Sequence, residues 1–183
     1  MKFIVIFLLI FSTLQADRDG GPYLGLGIGV SKVNTDGLYD ALVRDTSTGL
    51  TFYAGAYINK YLSVEASYVS FDSWHLDNGF ETPDGKEIGA GAIAVSTLAH
   101  YAFFDDTLDF YAKFGLADMS FNVAYDDGFG MLYGGGMAYR FDETFSVKLA
   151  YDMYRFDYDN TNDAVADHRM RLEYLYTGFE MQF

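Results

Sequence analysis

The 183-residue sequence contains no cysteine. That excludes disulfides, a thiol nucleophile and thiolate metal ligation, so the fold must hold by pairing and packing alone. Proline is nearly absent too, at 2 residues, against 19 glycines. Basic residues are few: 12 Lys and Arg face 26 Asp and Glu, a formal net charge of −14. Such a surplus of acid argues against nucleic acid as a partner and against general attraction to anionic surfaces. Past residue 20 no apolar run approaches the roughly 20 residues that a membrane-spanning helix needs.

The one long apolar run lies at the start. "MKFIVIFLLIFSTLQA" has a single positive charge at Lys2, an apolar stretch from Phe3 to Phe11, and small and polar residues up to Ala16. That is the layout of a secretory signal peptide. Residues 1–16 are therefore expected to be removed, leaving 17–183 as one domain. Without Lys2, 11 basic residues remain against 26 acidic, a charge of −15.

What is plentiful is aromatic and alternating. Tyr (16) and Phe (17) make up most of a 19% aromatic content, with 1 Trp, and half the chain is hydrophobic. Mean hydropathy is nonetheless close to zero, at +0.01. Apolar and polar residues must therefore be interleaved, and they are interleaved at period two, the signature of strands with two unlike faces. "YLGLGIGV" (23–30) sets Leu24, Leu26, Ile28 and Val30 against glycines. "LTFYAGAYI" (50–58) and "LSVEASY" (62–68) repeat the pattern, the first with Phe52, the second with Val64 opposed to Glu65. "AIAVSTLAHYAF" (92–103) is less regular, with Ile93, Val95 and Tyr101 on its apolar side. "LDFYAKFGLA" (108–117) opposes Phe110 and Phe114 to Asp109 and Lys113. "MLYGGGMAYRF" (131–141), "FSVKLAYDMY" (145–154) and the closing "YLYTGFEMQF" (174–183) complete eight strands.

The connections alternate in length. "NKY" (59–61), "FDDT" (104–107) and "DET" (142–144) are tight, whereas about 31–48, 72–87, 120–128 and 155–168 are long and polar. Short turns at one end and long loops at the other describe an outer-membrane barrel rather than a soluble sandwich. The second face supports this. It is rich in Gly, Ala and Ser, which suits a crowded lumen better than a wetted surface. The expected fold is all-β, an eight-stranded antiparallel up-and-down transmembrane β-barrel, with Leu26, Phe52, Val64, Phe114, Leu149 and Phe179 facing lipid. Tyr61, Tyr101, Phe103, Tyr139, Phe141 and Phe183 gather beside the short turns, as an aromatic girdle at the inner interface would.

The signal peptide, eight strands, "YRF" before a tight turn and the terminal Phe together resemble the OmpA/OmpX-like outer-membrane barrels, including the opacity-type surface antigens. The likeness covers nearly the whole mature chain. It implies that Phe183 is part of the signal read by the outer-membrane assembly machinery. No peptidoglycan-binding domain is expected to follow the barrel, an expectation closer to OmpX than to full-length OmpA.

Several residues carry possible chemistry. Glu65, Lys113, Lys148 and Glu180 share the inward face at similar depth, with Arg140 and Asp152 as extensions. Charges shut in a lumen must pair, so a polar plug is expected; an ion gate is the sharper reading, since OmpA-like barrels hold comparable interior bridges. Eight strands leave room for side chains alone. His75 and His168 fall in loops and His100 faces inward, none beside a serine in a deacylase-like pattern, so no enzyme is expected. "DYDNTND" (157–163) offers Asp157 and Asp159 among possible Ca²⁺ ligands but lacks the Gly and distal Glu of an EF-hand loop. "GLGIG" (25–29) precedes no helix and reads as lumen or bulge glycines rather than a dinucleotide site. No cofactor is expected. "LYDALVRD" (38–45) could form a helical turn over the barrel mouth. The expected role is structural or adhesive, through the loops, with Trp74, His75, Asp157 and Asp159 as candidate contacts. The expected partners are the bilayer with its lipopolysaccharide and an extracellular ligand. The alternatives are a lipid A-modifying enzyme or a narrow ion or solute channel.

Overall fold

The structure is a computed structural model, described for residues 20–34, 46–74, 88–104, 106–121, 128–158 and 168–183. The eight alternating segments form eight strands: β1 (Gly21–Asn34), β2 (Thr46–Asn59), β3 (Leu62–Trp74), β4 (Ile88–Phe103), β5 (Leu108–Phe121), β6 (Gly128–Arg140), β7 (Phe145–Tyr158) and β8 (His168–Gln182). Each pairs antiparallel with its sequence neighbours, and β8 returns to β1, closing the sheet into a barrel. Closure gives every strand two partners and removes the edge, the arrangement that satisfies a backbone in hydrocarbon.

The faces follow the alternation. Leu26, Phe52, Val64, Phe114, Leu149 and Phe179 are 41–63% exposed, on the outer wall. Their chain neighbours point inward and, apart from half-buried Gly27, are buried. This outward apolar band is the surface that bilayer hydrocarbon would cover. At its lower margin Tyr61, Tyr101, Phe103, Tyr139, Phe141 and Phe183 are all exposed. Edge-to-face pairs such as Tyr101–Phe103 and Tyr139–Phe141 knit this girdle together.

The short turns have local causes. Asn59 Oδ1 accepts the Tyr61 amide at 2.8 Å. Asp142 Oδ1 accepts the amides of Thr144 and Phe145, each at 2.8 Å, a side chain standing in for a backbone turn. In the β4–β5 turn Phe104 and Asp106 take left-handed φ values of 53° and 69°. Asp tolerates that region better than Phe does.

The sequence placed strand ends too early on the long-connection side. Strand β1 runs on to Asn34 rather than ending at Val30, β7 runs to Tyr158 rather than Tyr154, and β8 takes in the residues between the expected connection, to about 168, and the alternating segment that starts at Tyr174. The hydrogen-bond ladder continues past the apolar band, and the outward residues simply become polar. Lys32 and Arg155, expected in loops, therefore stand on the barrel wall.

Candidate functional site

Period-two geometry carries the inward polar residues of β3, β5, β7 and β8 to one level of the lumen, near the short-turn end. There Lys113 Nζ lies 2.9 Å from Glu65 Oε1 and 2.9 Å from Asp152 Oδ2. Lys148 Nζ lies 3.3 Å from Glu65 Oε2 and 2.7 Å from Glu180 Oε2. All five side chains are at most 4% exposed. Glu65 is the shared centre, bridging both lysines, with an Asp152 arm on one side and a Glu180 arm on the other. Three carboxylates thus face two ammoniums.

Tyrosines complete the shell. Tyr23 donates its hydroxyl to Glu65 Oε2 at 3.1 Å, and Lys113 donates to the Tyr176 oxygen at 3.4 Å. The Lys148 ammonium sits 4.1 Å from the Tyr53 ring centre and 5.4 Å from those of Tyr23 and Tyr111. The rings fit because glycines oppose them: a Cβ on Gly25 would fall inside the Tyr53 ring, and one on Gly55 inside that of Tyr23. Small residues on the inward face are therefore sockets for large ones.

Of the residues anticipated here, Glu65, Lys113, Lys148 and Glu180 come together and Asp152 joins them. Arg140 does not. It lies closer to the rim, donating from Nη1 to Gln182 Oε1 at 3.0 Å, with its guanidinium 5.5 Å from the Tyr57 ring centre.

At that rim level is a chain of hydrogen bonds that the sequence did not single out. His100 Nδ1 is 2.7 Å from Asp109 Oδ2, and His100 Nε2 is 2.8 Å from Ser63 Oγ. A carboxylate can only accept, so Nδ1 carries a proton; Nε2 then accepts from the serine in the neutral ring and donates to it in the charged one. The sequence offered no serine beside a histidine in a deacylase-like pattern; the fold brings Ser63 to His100 from a neighbouring strand. The clue was in the β4–β5 hairpin: Ala102 pairs with Asp109, which sets His100 and Asp109 diagonally on one face. The order Ser–His–Asp is that of a hydrolytic triad. Its surroundings are not, for Ser63 is 0% exposed and the Tyr57 and Tyr111 rings flank the imidazole, at 5.0 and 5.8 Å. In this structure the hydroxyl is closed off from solvent.

Above the charged level the lumen turns apolar. Val69, Phe71, Leu132, Tyr154, Leu172 and Tyr174 are buried there, with Phe71 edge-on to both Tyr154 and Tyr174. Tyr174 donates to the Gly49 carbonyl at 2.8 Å across the barrel. Among the described residues no group of three or more acidic or His side chains is placed to hold a metal ion.

The loop candidates fall mostly outside the described residues. That holds for His75, Asp159, the "LYDALVRD" segment and the signal peptide. Trp74 is the last residue of β3, paired with Ile88 beyond a register shift, and Asp157 pairs with Arg169 in the β7–β8 ladder. Phe183 is tied into the seam: its amide donates to the Pro22 carbonyl at 2.9 Å, and its ring lies on the outer surface.

Comparison with solved structures gives the same architecture. Neisserial surface protein A is matched with a TM-score of 0.67 at 16% identity, over 90% of this chain and 99% of that one. The outer membrane protein OprG of Pseudomonas aeruginosa gives 0.61 at 15%, over 92% and 98%. Ail, the attachment invasion locus protein of Yersinia pestis, gives 0.51 at 14%, over 87% and 97%. Identities this low establish the fold alone. No curated protein is matched by sequence. A family model for the outer membrane protein beta-barrel domain matches residues 3–177. The chain belongs to that family, and its barrel lies in a bacterial outer membrane.

Proposed function

We propose that the barrel is a rigid anchor and that its four long connections do the work, as a surface-interaction protein of adhesion type. The observation that carries this reading is the filled lumen. Among the described residues, ion pairs, tyrosines and an apolar layer occupy successive levels of the interior. The connections are what remains chemically varied. Residues 35–45, 75–87, 122–127 and 159–167 hold twelve of the 26 acidic residues but only Arg44 and Lys86 among the basic ones. Residues presented by loops on a rigid scaffold are where binding usually resides.

That charge bears on the partner. Ail is described in complex with the heparin analogue sucrose octasulfate. An acidic loop set repels such a polyanion and suits a cationic partner instead, a basic protein surface or a polyamine. Insertion through the assembly machinery with Phe183 in its signal, and residence among lipopolysaccharide, belong to the same reading. An enzymatic role has one observation in its favour, the Ser63–His100–Asp109 chain, and the burial of Ser63 opposes it.

The test trims the four connections one at a time to short turns and measures adhesion of intact cells to surfaces coated with poly-lysine or with heparin. Loss of adhesion to the cationic surface, with barrel insertion unchanged, is expected. Undiminished adhesion after all four trims would place the function in the barrel wall or lumen.

A further inference from the structure

The outward wall changes character abruptly at the long-connection end of three consecutive strands. The apolar band ends at Val30 on β1, Leu175 on β8 and Met153 on β7. The next outward residues are Lys32, Glu173 with Arg171, and Arg155. Register places them side by side. Arg155 is directly opposite Arg171, Met153 opposite Glu173, and Lys32 opposite Glu173 from the other flank. Arg155 and Arg171 are exposed on that wall. Arg171 Nε holds Glu173 Oε1 at 3.1 Å, and Glu173 is the acid at this level.

Two features make this more than a polar rim. First, every basic residue that the structure describes on the outer wall at this end lies in this one patch. The matching levels of the other strands offer Thr46 and Thr48, Ser70 and Asp72, Gly89 and Gly91, and Asp118 and Ser120. In a protein of net charge −14, Lys32, Arg155 and Arg171 stand against Glu173 at this level of β7, β8 and β1, and one step further out Arg169 is opposite Asp157. Second, directly opposed like charges on neighbouring strands destabilise a sheet unless an anion lies between them. Arg155 and Arg171 form such a pair. Guanidinium forks on adjacent strands match the geometry of a phosphate.

We infer that Lys32, Arg155 and Arg171 form a binding site for a phosphate of the multi-acylated glycolipid of the outer leaflet, the lipid A part of lipopolysaccharide. The height is right, because the site begins where the apolar band stops, at headgroup level. The wall below it, with Val30, Leu149, Tyr151, Met153 and Leu175, offers a greasy track for the acyl chains of the same molecule. The site rests on the reading that the long connections face outwards.

The experiment is native mass spectrometry of the whole folded protein in a non-ionic detergent. The probes are bisphosphorylated lipid A, the same lipid with both phosphates removed, and phosphatidylglycerol. The wild type should retain bisphosphorylated lipid A in preference to both others. The K32Q/R155Q/R171Q variant should lose about ten- to a hundredfold of that affinity, since each basic side chain at an anionic lipid surface contributes roughly a factor of five. K60Q, at the opposite end, should bind as the wild type does. The variant's side chains are outward, so its heat-modifiable gel mobility should show a folded barrel; should it fail, R155K/R171K serves instead, with charge kept and the fork lost, and an affinity intermediate between the two is expected. Equal retention of the dephosphorylated lipid would reduce the site to acyl-chain adsorption and overturn it, as would equal retention of phosphatidylglycerol or an unchanged affinity in the variants. Protease access to the long connections on whole cells tests the orientation separately, so failure of that reading is told apart from failure of the site.

Discussion

Replacing Lys148 by Met should damage the barrel far more than replacing Glu65 by Gln, although Glu65 is the geometric centre of the interior network. The reason is what each change leaves behind. Glu180 has Lys148 as its ion-pair partner, at 2.7 Å, and no other among the described residues. Removing Lys148 leaves that carboxylate buried beside Glu65, with Lys113 the single remaining cation for three acids. Breaking a buried pair in this way costs about 3–5 kcal/mol. Removing the Glu65 charge has the opposite bookkeeping. It leaves Lys113 with Asp152 at 2.9 Å and Lys148 with Glu180, two pairs and no excess. The amide still accepts from Tyr23, so the loss should stay near about 1–2 kcal/mol, in the range of one weakened charge-assisted hydrogen bond. The assay is equilibrium urea unfolding of the barrel refolded into phosphatidylcholine vesicles, followed by tyrosine fluorescence and by the shift in gel mobility on heating. A double variant, K148M/E180L, should recover most of the loss, because a buried pair replaced by apolar side chains is often neutral. If K148M were as stable as the wild type, or if E65Q cost more than K148M, the carboxylates would not be charged as paired here and the reasoning would fail.

An Arg placed at Phe114 or Leu149, both on the outer wall near the middle of their strands, should cost about 2–4 kcal/mol in the same unfolding assay, with little effect at the strand ends. Deleting Phe183 removes an amide that bonds Pro22 and a girdle ring; outer-membrane insertion, measured by fractionation, should fall while export continues. Phe104→Gly relieves a left-handed φ of 53° and should stabilise the turn by roughly 1 kcal/mol, unless loss of its ring from the interface offsets the gain, in which case Phe104→Asn retains the φ benefit. His100→Gln should leave Ser63 unreactive towards a fluorophosphonate probe, as the wild type is. Labelling of wild-type Ser63 would mean that the triad opens and that the non-enzymatic reading is wrong.

Strand number, order and facing were legible because each rests on the alternation of a few residues within one strand, and the register shifts lie at strand ends. Leu26 and Phe52 had to share a face whatever the turn between them. The inward charges were legible for the same reason: Glu65, Lys113, Lys148 and Glu180 share parity and similar distance from a short turn. Arg140 shows where that logic stops. Its parity is right, but it sits one level nearer the rim and bonds Gln182, and depth depends on barrel shear, which no single strand records. Ser63 and Asp109 were visible as inward polar residues; joining them to His100 needed pairing across three strands.

The strand ends were misjudged for a physical reason with consequences for function. Period-two hydropathy measures the lipid band, not the hydrogen-bond ladder, so each strand seems to end where its outward residues stop being apolar. On β2, β3, β4 and β5 the extra length carries hydroxyls, glycines and two acids. On β7, β8 and β1 it carries Arg155, Arg171 and Lys32. With Lys32 and Arg155 assigned to loops and Arg171 left outside the alternating segment, these cations look like scattered counter-charges in an acidic sequence. Assigned to the wall, they become a fixed patch at one height on one side of the barrel. On the proposed orientation this end of the protein would join connections of acidic sequence to a basic strip on the barrel wall. The strip would hold the lipid phosphates that the acidic loops repel, so each sign suits the surface it meets.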